Sequence, residues 1–509
     1  MRSLADLIFI IATSILLVSC KVGPDFHSPP PPDLSSYTRL PMPQQTASVS
    51  QAGPGKAQYF NMGADIPGEW WQLFHSPAVN ALIKAGLENS PTLAAALATL
   101  QKAQQTLRAT VGNLLFPSVD LQALAERTRS SSFGGGSGAS SAAGASAGSA
   151  GGGESSSSIF NIYYTAANVS YTLDLFGGLR RQVEAIRAQV DFARYQYLAA
   201  YLSLTSNIVT TAITVATVES EIHSTRELIQ EFAEQLKIVT EQLQLGSASQ
   251  EDVLLQQTQV SQTQALLPPL LVQLSQARHA LAVLIGEFPS NSHLPALHLS
   301  SINLPGNIPL SVPSKLVKQR PDIQESEALL HEASANIGVT TANLLPQVSL
   351  TGNYAYSSNM LNTLFTPATS TWAIAAELLQ PIFHGGALIA ERRAAVDAFT
   401  ATLADYRATV LTAFQNVADS LRALQIDATE YQAQRKAEIS AEETYDVTKK
   451  RFRLGGKNYL DVLIAEQSYQ KNKINRIKAE GQRYNDTAAL FQALGGGWWN
   501  VRDKHALQQ

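Results

Sequence analysis

The sequence contains the segment LGSASQEDVL at residues 245–254 and a near copy, LGGKNYLDVL, at residues 454–463. Each copy lies between long stretches with apolar residues seven positions apart, the pattern of a coiled coil. Leu-Gly followed by an acid predicts a tight turn between antiparallel helices. Two helical hairpins are therefore expected, over about 179–285 and 387–494. In the first hairpin, the apolar residues that would form the seam between the two helices are Ile222, Ile229, Leu236 and Leu243 on one helix and Val253, Val260, Leu267, Leu274 and Leu281 on the other.

The rest of the chain is duplicated as well. NLLFPSV at 113–119 recurs as NLLPQV at 343–348, and FGG at 176–178 recurs as FHGG at 383–386. The first pair lies about 230 residues apart and the second about 208, so one copy carries an insertion. A tract of almost only Ser, Gly and Ala at 130–158 accounts for it. Because this composition buries too little apolar area to order a chain, a disordered loop is expected there.

Between the helical stretches of each copy, the hydrophobic period changes to two. Apolar and polar residues alternate over about 118–128, 160–175, 347–357 and, more weakly, 371–381. Segments of about ten residues match tilted strands that cross a bilayer, and a half-buried hairpin of a soluble protein is the alternative. The membrane interpretation is favoured because neither strand pair is followed by another strand.

Four strands cannot close a membrane barrel, because open edges cannot face lipid and known barrels begin at about eight strands. Two chains would enclose a lumen filled by side chains, whereas three would supply about twelve strands around an aqueous bore, which the polar strand faces favour. The predicted fold class is an α+β membrane protein: a trimeric 12-stranded β-barrel continued by a coiled-coil α-helical tunnel. A helix over 179–245 would be about 100 Å long, so most of it must stand in an aqueous compartment.

The N-terminus is typical of a lipoprotein signal. Leu7–Val18 is an apolar run too short to cross a bilayer, as in a secretory signal. LVSC at 17–20 resembles a lipobox, in which Cys20 would be acylated; a buried structural cysteine is the alternative. By the pattern of such signals, Lys21 favours the outer membrane. Residues 1–19 would then be a signal peptide and 20–77 a lipid-anchored, extended tether.

Composition excludes several classes of protein. The net charge of −4 argues against a nucleic-acid binder held by phosphate contacts. A mean hydropathy of −0.04 argues against a polytopic helical membrane protein. The single cysteine excludes an internal disulfide and a Cys-based zinc cluster. The sequence lacks the histidine spacings, nucleophile motifs and phosphate loops of enzymes, so neither catalysis, cofactor nor metal is expected.

In order along the chain, these features resemble the TolC-like outer-membrane efflux lipoproteins, the outer-membrane factors of tripartite efflux systems. The resemblance covers Cys20 to Trp498 and includes GPDF at 23–26, WWQLF at 70–74, NSP at 89–91, PIFHGG at 381–386 and ALGGGW at 493–498. It implies a homotrimer in outer-membrane lipid, a periplasmic adaptor protein and an inner-membrane transporter of the RND type. The repeats would span 78–290 and 313–498, with a tail at 499–509.

The resemblance also implies a gate at the periplasmic tip of the tunnel. Leu460 and Asp461 would face the pore, with Asp461 forming a ring of three carboxylates. Ile464 stands where the family often has a second acid, which suggests a partly hydrophobic gate. A plain helix-start role for Asp461 is the alternative, because an acid there is favourable for the helix dipole alone.

The two hairpin turns resemble the adaptor-docking turns of the family. They consist of Leu245, Gly246 and Ser247 in the first hairpin and Leu454, Gly455 and Gly456 in the second. As plain glycine caps they would need no further role.

Together these features predict a passive, gated duct that exports small molecules, such as drugs or toxic metabolites. A type I protein-secretion duct is one alternative, because specificity would lie mainly in the pump. A structural coiled-coil lipoprotein scaffold is another, and a lipid-anchored enzyme would need a catalytic constellation that the sequence lacks.

Overall fold

The computed structural model describes residues 21–39, 43–50, 53–131 and 157–501. The expected signal peptide, Cys20 and most of the Ser/Gly-rich tract lie outside the described residues. The chain divides into two compact units. Of the described residues, the first unit comprises 21–26, 106–131, 157–187 and Glu332–Phe399, and the second comprises the remainder.

The order of helices and strands repeats along the chain. The first half contains β1 (Tyr59–Met62), α1 (Pro77–Asn89), α2 (Pro91–Leu115), β2 (Ser118–Ser131), β3 (Ser157–Leu173), α3 (Gly178–Gln244) and α4 (Gln250–Leu284). The second half contains β4 (Asn307–Leu310), α5 (Pro313–Gln319), α6 (Pro321–Ala342), β5 (Gln347–Ser358), β6 (Ser370–Leu379), α7 (Ala387–Arg453) and α8 (Tyr459–Ala493). Helices α3 and α7 each have 67 residues, and α4 and α8 each have 35. The duplication read from the sequence is thus present in the secondary structure.

Proline sets several helix starts. Helices α1, α2, α5 and α6 each begin with one, at Pro77, Pro91, Pro313 and Pro321. The missing N–H of proline costs nothing in a first helical turn, and its fixed φ suits the helix. These paired prolines begin equivalent helices in the two repeats.

In the first unit, β2, β3, β5 and β6 form an antiparallel sheet in that order, which we call the large sheet. Val119 pairs with Val169, Val169 with Gly352, and Gly352 with Ile374, so these four residues form one row on one face. Within the described residues, β2 and β6 each have a strand partner on one side only.

The loop expected over 130–158 needs a correction at both ends. Strand β2 continues to Ser131 and β3 begins at Ser157, with Ser131 paired to Ser157. Serine has the backbone donor and acceptor that a strand ladder requires, so a polar composition alone does not end a strand. The middle of the tract lies outside the described residues.

The extended tether expected over 20–77 also needs a correction. In the second unit, β1 pairs in parallel with β4, with Tyr59 opposite Asn307. A short 3-10 helix, Trp70–Phe74, then buries both tryptophans and Phe74. Strands of four residues are too short to show a hydrophobic period, so this small sheet could not be predicted from periodicity.

Aromatic packing forms the centre of the second unit. Trp70 stacks on Phe491 of α8 with ring centroids 5.3 Å apart, and both are fully buried. An 18-residue window of α3 has a mean hydropathy of 1.4, and 56% of it is buried in the chain, as in a core helix. The tail expected at 499–509 begins against this core, because Trp499 packs on it and the Asn500 side-chain amide donates to the Ile66 carbonyl at 2.8 Å.

A buried arginine holds the segment that follows Cys20. Arg181 of α3 is 1% exposed and donates to the carbonyl oxygens of Val22 at 3.0 Å and Gly23 at 3.2 Å. Its guanidinium also pairs with Asp25 at 2.8 Å. Gly23 has a φ of 88°, and a Cβ there would lie 2.5 Å from the Cα of Gly338. A buried charge needs several partners, so these contacts fix residues 22–25 within the first unit.

The close approach of α8 to α3 gives a test of this packing. A Cβ at Gly481 would collide with the Thr217 side chain. We expect Gly481→Ala to lower the free energy of unfolding by about 1–3 kcal/mol, because overpacking displaces the helices. Gly112→Ala is the control, since a Cβ there meets no atom of the described residues within 4 Å. Thermal denaturation of both variants measures the difference, and equal stability of the two would contradict the packing.

Candidate functional site: hairpin ends and sheet faces

The turn of the first hairpin is a Schellman cap. Gly246 has a φ of 71°, the left-handed conformation that favours glycine. Its N–H donates to the Leu243 carbonyl at 3.0 Å, and the Ser247 N–H donates to the Gln242 carbonyl at 2.8 Å. These paired bonds satisfy carbonyls that the end of α3 would otherwise leave free.

The turn of the second hairpin has the same geometry. Gly455 has a φ of 74°. Its N–H donates to the Phe452 carbonyl and the Gly456 N–H to the Arg451 carbonyl, both at 2.9 Å. The repeated Leu-Gly pair therefore has a backbone explanation that is independent of any partner.

Each turn leads into a capping box. The Asp252 N–H donates to the Ser249 hydroxyl at 3.1 Å, and the Ser249 N–H donates to the Asp252 carboxylate at 2.8 Å. The Asp461 N–H donates to the Asn458 side chain at 2.8 Å, and the Asn458 N–H donates back at 3.4 Å. Asp461 also lies 3.5 Å from the Lys457 ammonium. The helix-start role of Asp461 thus has direct contacts, and the carboxylate ring stays a prediction.

Apolar side chains are exposed around the hairpin ends. Leu245 and Leu454 at the turns are 82% and 86% exposed. On the first turns of α8, Leu460 is 43% exposed and Ile464 is 57% exposed. The structure therefore brings Leu460 and Ile464 of the expected gate to the same hairpin end as Leu454. Clustered exposed aliphatic groups are typical of a contact surface.

The two hairpin ends carry opposite charges. Helix α4 begins with Glu251 and Asp252 in its first turn. Helix α7 ends with Lys450, Arg451 and Arg453 in its last turn. We call these the acidic end and the basic end, and they share one backbone geometry.

A buried polar network joins the two hairpins above their ends. Glu466 is fully buried, and its carboxylate accepts from the Gln235 amide at 2.8 Å and from the Tyr445 hydroxyl at 3.1 Å. Gln256, also fully buried, accepts from the Tyr459 hydroxyl at 2.7 Å. Burial raises the pKa of Glu466, and the hydrogen bonds from Gln235 and Tyr445 oppose that rise. Because unpaired groups here would be costly, the network ties α3 and α4 to α7 and α8.

The seam pattern explains why sequence analysis missed this network. Predicted seam residues Ile222, Val260 and Leu281 are buried, but so are the polar Gln256 and Thr263. A heptad pattern of apolar residues passes over such polar seam positions. A spacing of seven that continues from Gln256 through Thr263 is the signal that would have found them.

A pair of acids bridges α7 and α8. Asp427 is buried beside Asp486. Burial first, then the interaction with the Asp486 carboxyl and the negative charges of Asp486 and Glu430, raise the pKa of Asp427 to about 8, while Arg483 lowers it. Asp427 is therefore largely protonated at neutral pH and can donate to Asp486.

The large sheet has one apolar and one polar face. The apolar face carries Val119, Leu121, Val169, Tyr171, Leu350, Tyr354, Trp372, Ile374 and Leu378. The polar face carries Asp120, Gln122, Asn168, Ser170, Thr351, Asn353 and Glu377. Trp372 is 73% exposed and Ile374 83% exposed. The apolar face is therefore exposed to the surroundings at the edge strand β6.

The described residues offer structural contacts and no metal centre. No group of three or more His, Cys, Asp or Glu side chains within them could hold a metal ion. A cavity of about 740 Å³ in the second unit is lined in part by Glu219 and Arg278, which form an ion pair at 2.6 Å.

The chain combines paired long helical hairpins with a sheet that has one apolar face and, among the described residues, unpaired edges. This combination is the one found in outer-membrane channels built from both strands and helices. The family model for outer membrane efflux proteins matches residues 82–287 and 312–496. The chain belongs to the outer membrane efflux protein family.

Individual relatives cover almost the whole chain. It is 28% identical over 498 residues to the probable efflux pump outer membrane protein TtgC of Pseudomonas putida, covering 97% of this chain and 96% of that protein. It is 27% identical over 492 residues to the cation efflux system protein CusC of Escherichia coli, covering 95% and 97%. The open state of the Neisseria gonorrhoeae MtrE outer membrane channel matches with a TM-score of 0.78 at 26% identity, covering 94% of this chain and 99% of that one.

These matches confirm the function and location expected from the sequence. The protein is an outer-membrane channel of an efflux pump, and it extends from the outer membrane into the periplasm. The scaffold alternative is set aside by this membership.

The acid pair gives a pH-dependent prediction. Because the pKa of Asp427 is raised on folding to about 8, folding takes up a proton between about pH 4 and pH 8. The contribution of this group to stability is therefore present at low pH and lost as pH rises through that window. We expect the thermal midpoint to fall from pH 5.5 to pH 8.5, and Asp427→Asn to flatten this fall. Asp419→Asn, at an exposed position of α7, is the control and should keep the wild-type slope. An unchanged slope in Asp427→Asn would contradict the assignment.

Proposed function

We propose that three copies of this chain join through the free edges of their large sheets into a 12-stranded barrel in the outer membrane. The observation that carries the proposal is an apolar face on a sheet whose β2 and β6 edges each lack a second neighbour among the described residues. Unpaired backbone groups cannot face lipid, so β6 of one copy must pair with β2 of the next. Three copies give a barrel wide enough for an aqueous bore, lined by the polar face.

In this proposal the helical hairpins continue the bore as a periplasmic tunnel. Leu460 and Ile464 of the three copies would meet at its end and close it by apolar contact, with Asp461 beside them. The buried network around Glu466 supports this gate, because it holds the start of α8 against the first hairpin. Opening would move this helix start, which is held mainly by its capping box and the network.

The exposed turns support docking of a periplasmic adaptor. Leu245, Gly246 and Ser247 would contact it at the acidic end, and Leu454, Gly455 and Gly456 at the basic end. An inner-membrane transporter of the RND type would supply the energy, since a passive duct has no chemistry of its own. Cys20, acylated, would anchor the N-terminus in the same membrane.

Small molecules are the proposed cargo. Relatives are named for the efflux of toluene in one case and of cations in another. Cargoes so different in charge favour a duct that sets little chemical specificity by itself. The substrate would then be chosen by the transporter.

Adjacent residues of β6 test the barrel. Ile374 lies on the apolar face and Ala373 on the polar face. Ile374→Lys should destabilise the inserted trimer by about 2–4 kcal/mol per copy, because it places a charge against lipid. Ala373→Lys should be tolerated, because it faces the aqueous bore. The amount of trimer in outer-membrane fractions measures both, and equal tolerance of the two lysines would overturn the proposed faces.

The gate is tested by single-channel recording in planar bilayers. Asp461→Asn removes the charge but keeps acceptors for the capping box, and we expect it to lower cation selectivity. Asp252→Asn makes the same change in the first hairpin and is the control. Leu460→Ser should raise conductance, since about 1–3 kcal/mol of apolar contact is lost in each copy. Unchanged selectivity in Asp461→Asn would leave that residue with its capping role alone.

A further inference from the structure

The large sheet separates acidic from basic side chains by face. Strand pairing assigns Asp120, Glu126 and Glu377 to the polar face. It assigns Arg127 and Arg129 to the apolar face, where they are the only charged side chains on the described strand residues. We call these two residues the arginine pair. Both side chains are exposed.

The position of the arginine pair along the sheet is defined by register. Arg127 lies opposite Asn161 and Arg129 opposite Ile159. On β3 the apolar face then runs without a charge from Tyr163 to Leu173. Such a run is about 33 Å long at 3.3 Å per residue. With the usual strand tilt it spans about 25 Å, the height of the lipid-facing band of a membrane barrel.

Aromatic residues mark the edge of this band. On the apolar face, Tyr163 lies in the row next to that of Arg127 and Asn161, and Tyr356 lies in the row after it. Tyrosine and tryptophan collect at the headgroup level of membrane barrels. The arginine pair lies beyond Tyr163 on this face, at the depth of the lipid headgroups.

The order of helices and strands along the chain identifies the leaflet whose headgroups lie beside the arginine pair. Helix α2 leads into β2 at Ser118, and β3 leads into α3 at Gly178. The arginine pair lies at the opposite strand ends, away from the helices. If the helices stand in the periplasm, the arginine pair reaches the outer leaflet.

We propose that the arginine pair binds the phosphate groups of anionic lipids in the outer leaflet. The inference rests on the proposed barrel. A guanidinium presents a fork of N–H donors that matches phosphate in a bidentate way, and its stem can lie along the apolar face while its head reaches the headgroups. Because β2 is an edge strand, the bound lipid lies next to the seam between two copies. Such a lipid stabilises the assembled trimer.

The test uses full-length trimers in dodecyl maltoside micelles. Diphosphoryl lipid A, monophosphoryl lipid A and phosphatidylcholine are added in separate titrations. Binding is followed by native mass spectrometry and by the temperature at which trimers dissociate. For the wild type we expect diphosphoryl lipid A to bind best and to raise that temperature, and phosphatidylcholine to have no effect.

Variants separate the arginine pair from general charge. Arg127→Gln with Arg129→Gln should weaken the apparent affinity for diphosphoryl lipid A about 25-fold, since each basic group near an anionic surface contributes about fivefold. The matching double lysine variant keeps the charge but loses the fork, and its affinity should fall in between. Glu126→Gln changes the neighbouring residue on the polar face and should bind lipid A at least as well as the wild type.

Two outcomes overturn the inference: wild-type affinity in the double glutamine variant, or equal binding of phosphatidylcholine. Channel recording of the wild type in phosphatidylcholine bilayers tests the barrel separately. Normal conductance together with undiminished lipid A binding in the double glutamine variant would refute the lipid site and leave the barrel standing. Loss of conductance and of trimers in the wild type would refute the barrel itself.

Discussion

The constraint behind this structure is the hydrogen-bonding requirement of peptide groups at a sheet edge. The large sheet ends at β2 and β6, whose outer backbone groups have no strand partner among the described residues. Water could satisfy them, but the apolar face of the same sheet favours lipid. The edge backbone groups can be hydrogen-bonded while the apolar face contacts lipid only if the edges pair with other copies of the chain. In the proposed trimer, association of the copies is thus a consequence of the sheet.

The two repeats share one helical scaffold but differ in the charges at their hairpin ends. The hairpin helices have equal lengths in the two repeats, and the hairpin turns have the same Schellman cap and capping box. The side chains around them diverged, giving an acidic end and a basic end. Backbone geometry needs only a glycine and a capping pair, so the other positions were free to change.

Much of the fold could be predicted from periodicity, because strands and helices with one buried face repeat their apolar residues at fixed spacing. The Leu-Gly turns and the alternation at Val119 and Leu121 are examples. Two kinds of feature were missed: the four-residue strand β1, which is too short to show a period, and buried polar side chains such as Arg181, Gln256 and Glu466. Polar residues are buried only when a partner is present, and that partner comes from a distant part of the chain.

For Asp461 the sequence left two roles open, and the structure shows contacts for one of them. The shared geometry of the hairpin ends has a further consequence for assembly. In the proposed trimer, six ends of the same backbone shape alternate in charge around the axis. A partner that recognises the backbone shape and the exposed leucine would bind at all six ends. A partner that depends on charge would occupy every second one, so the stoichiometry of the pump would report which property is recognised.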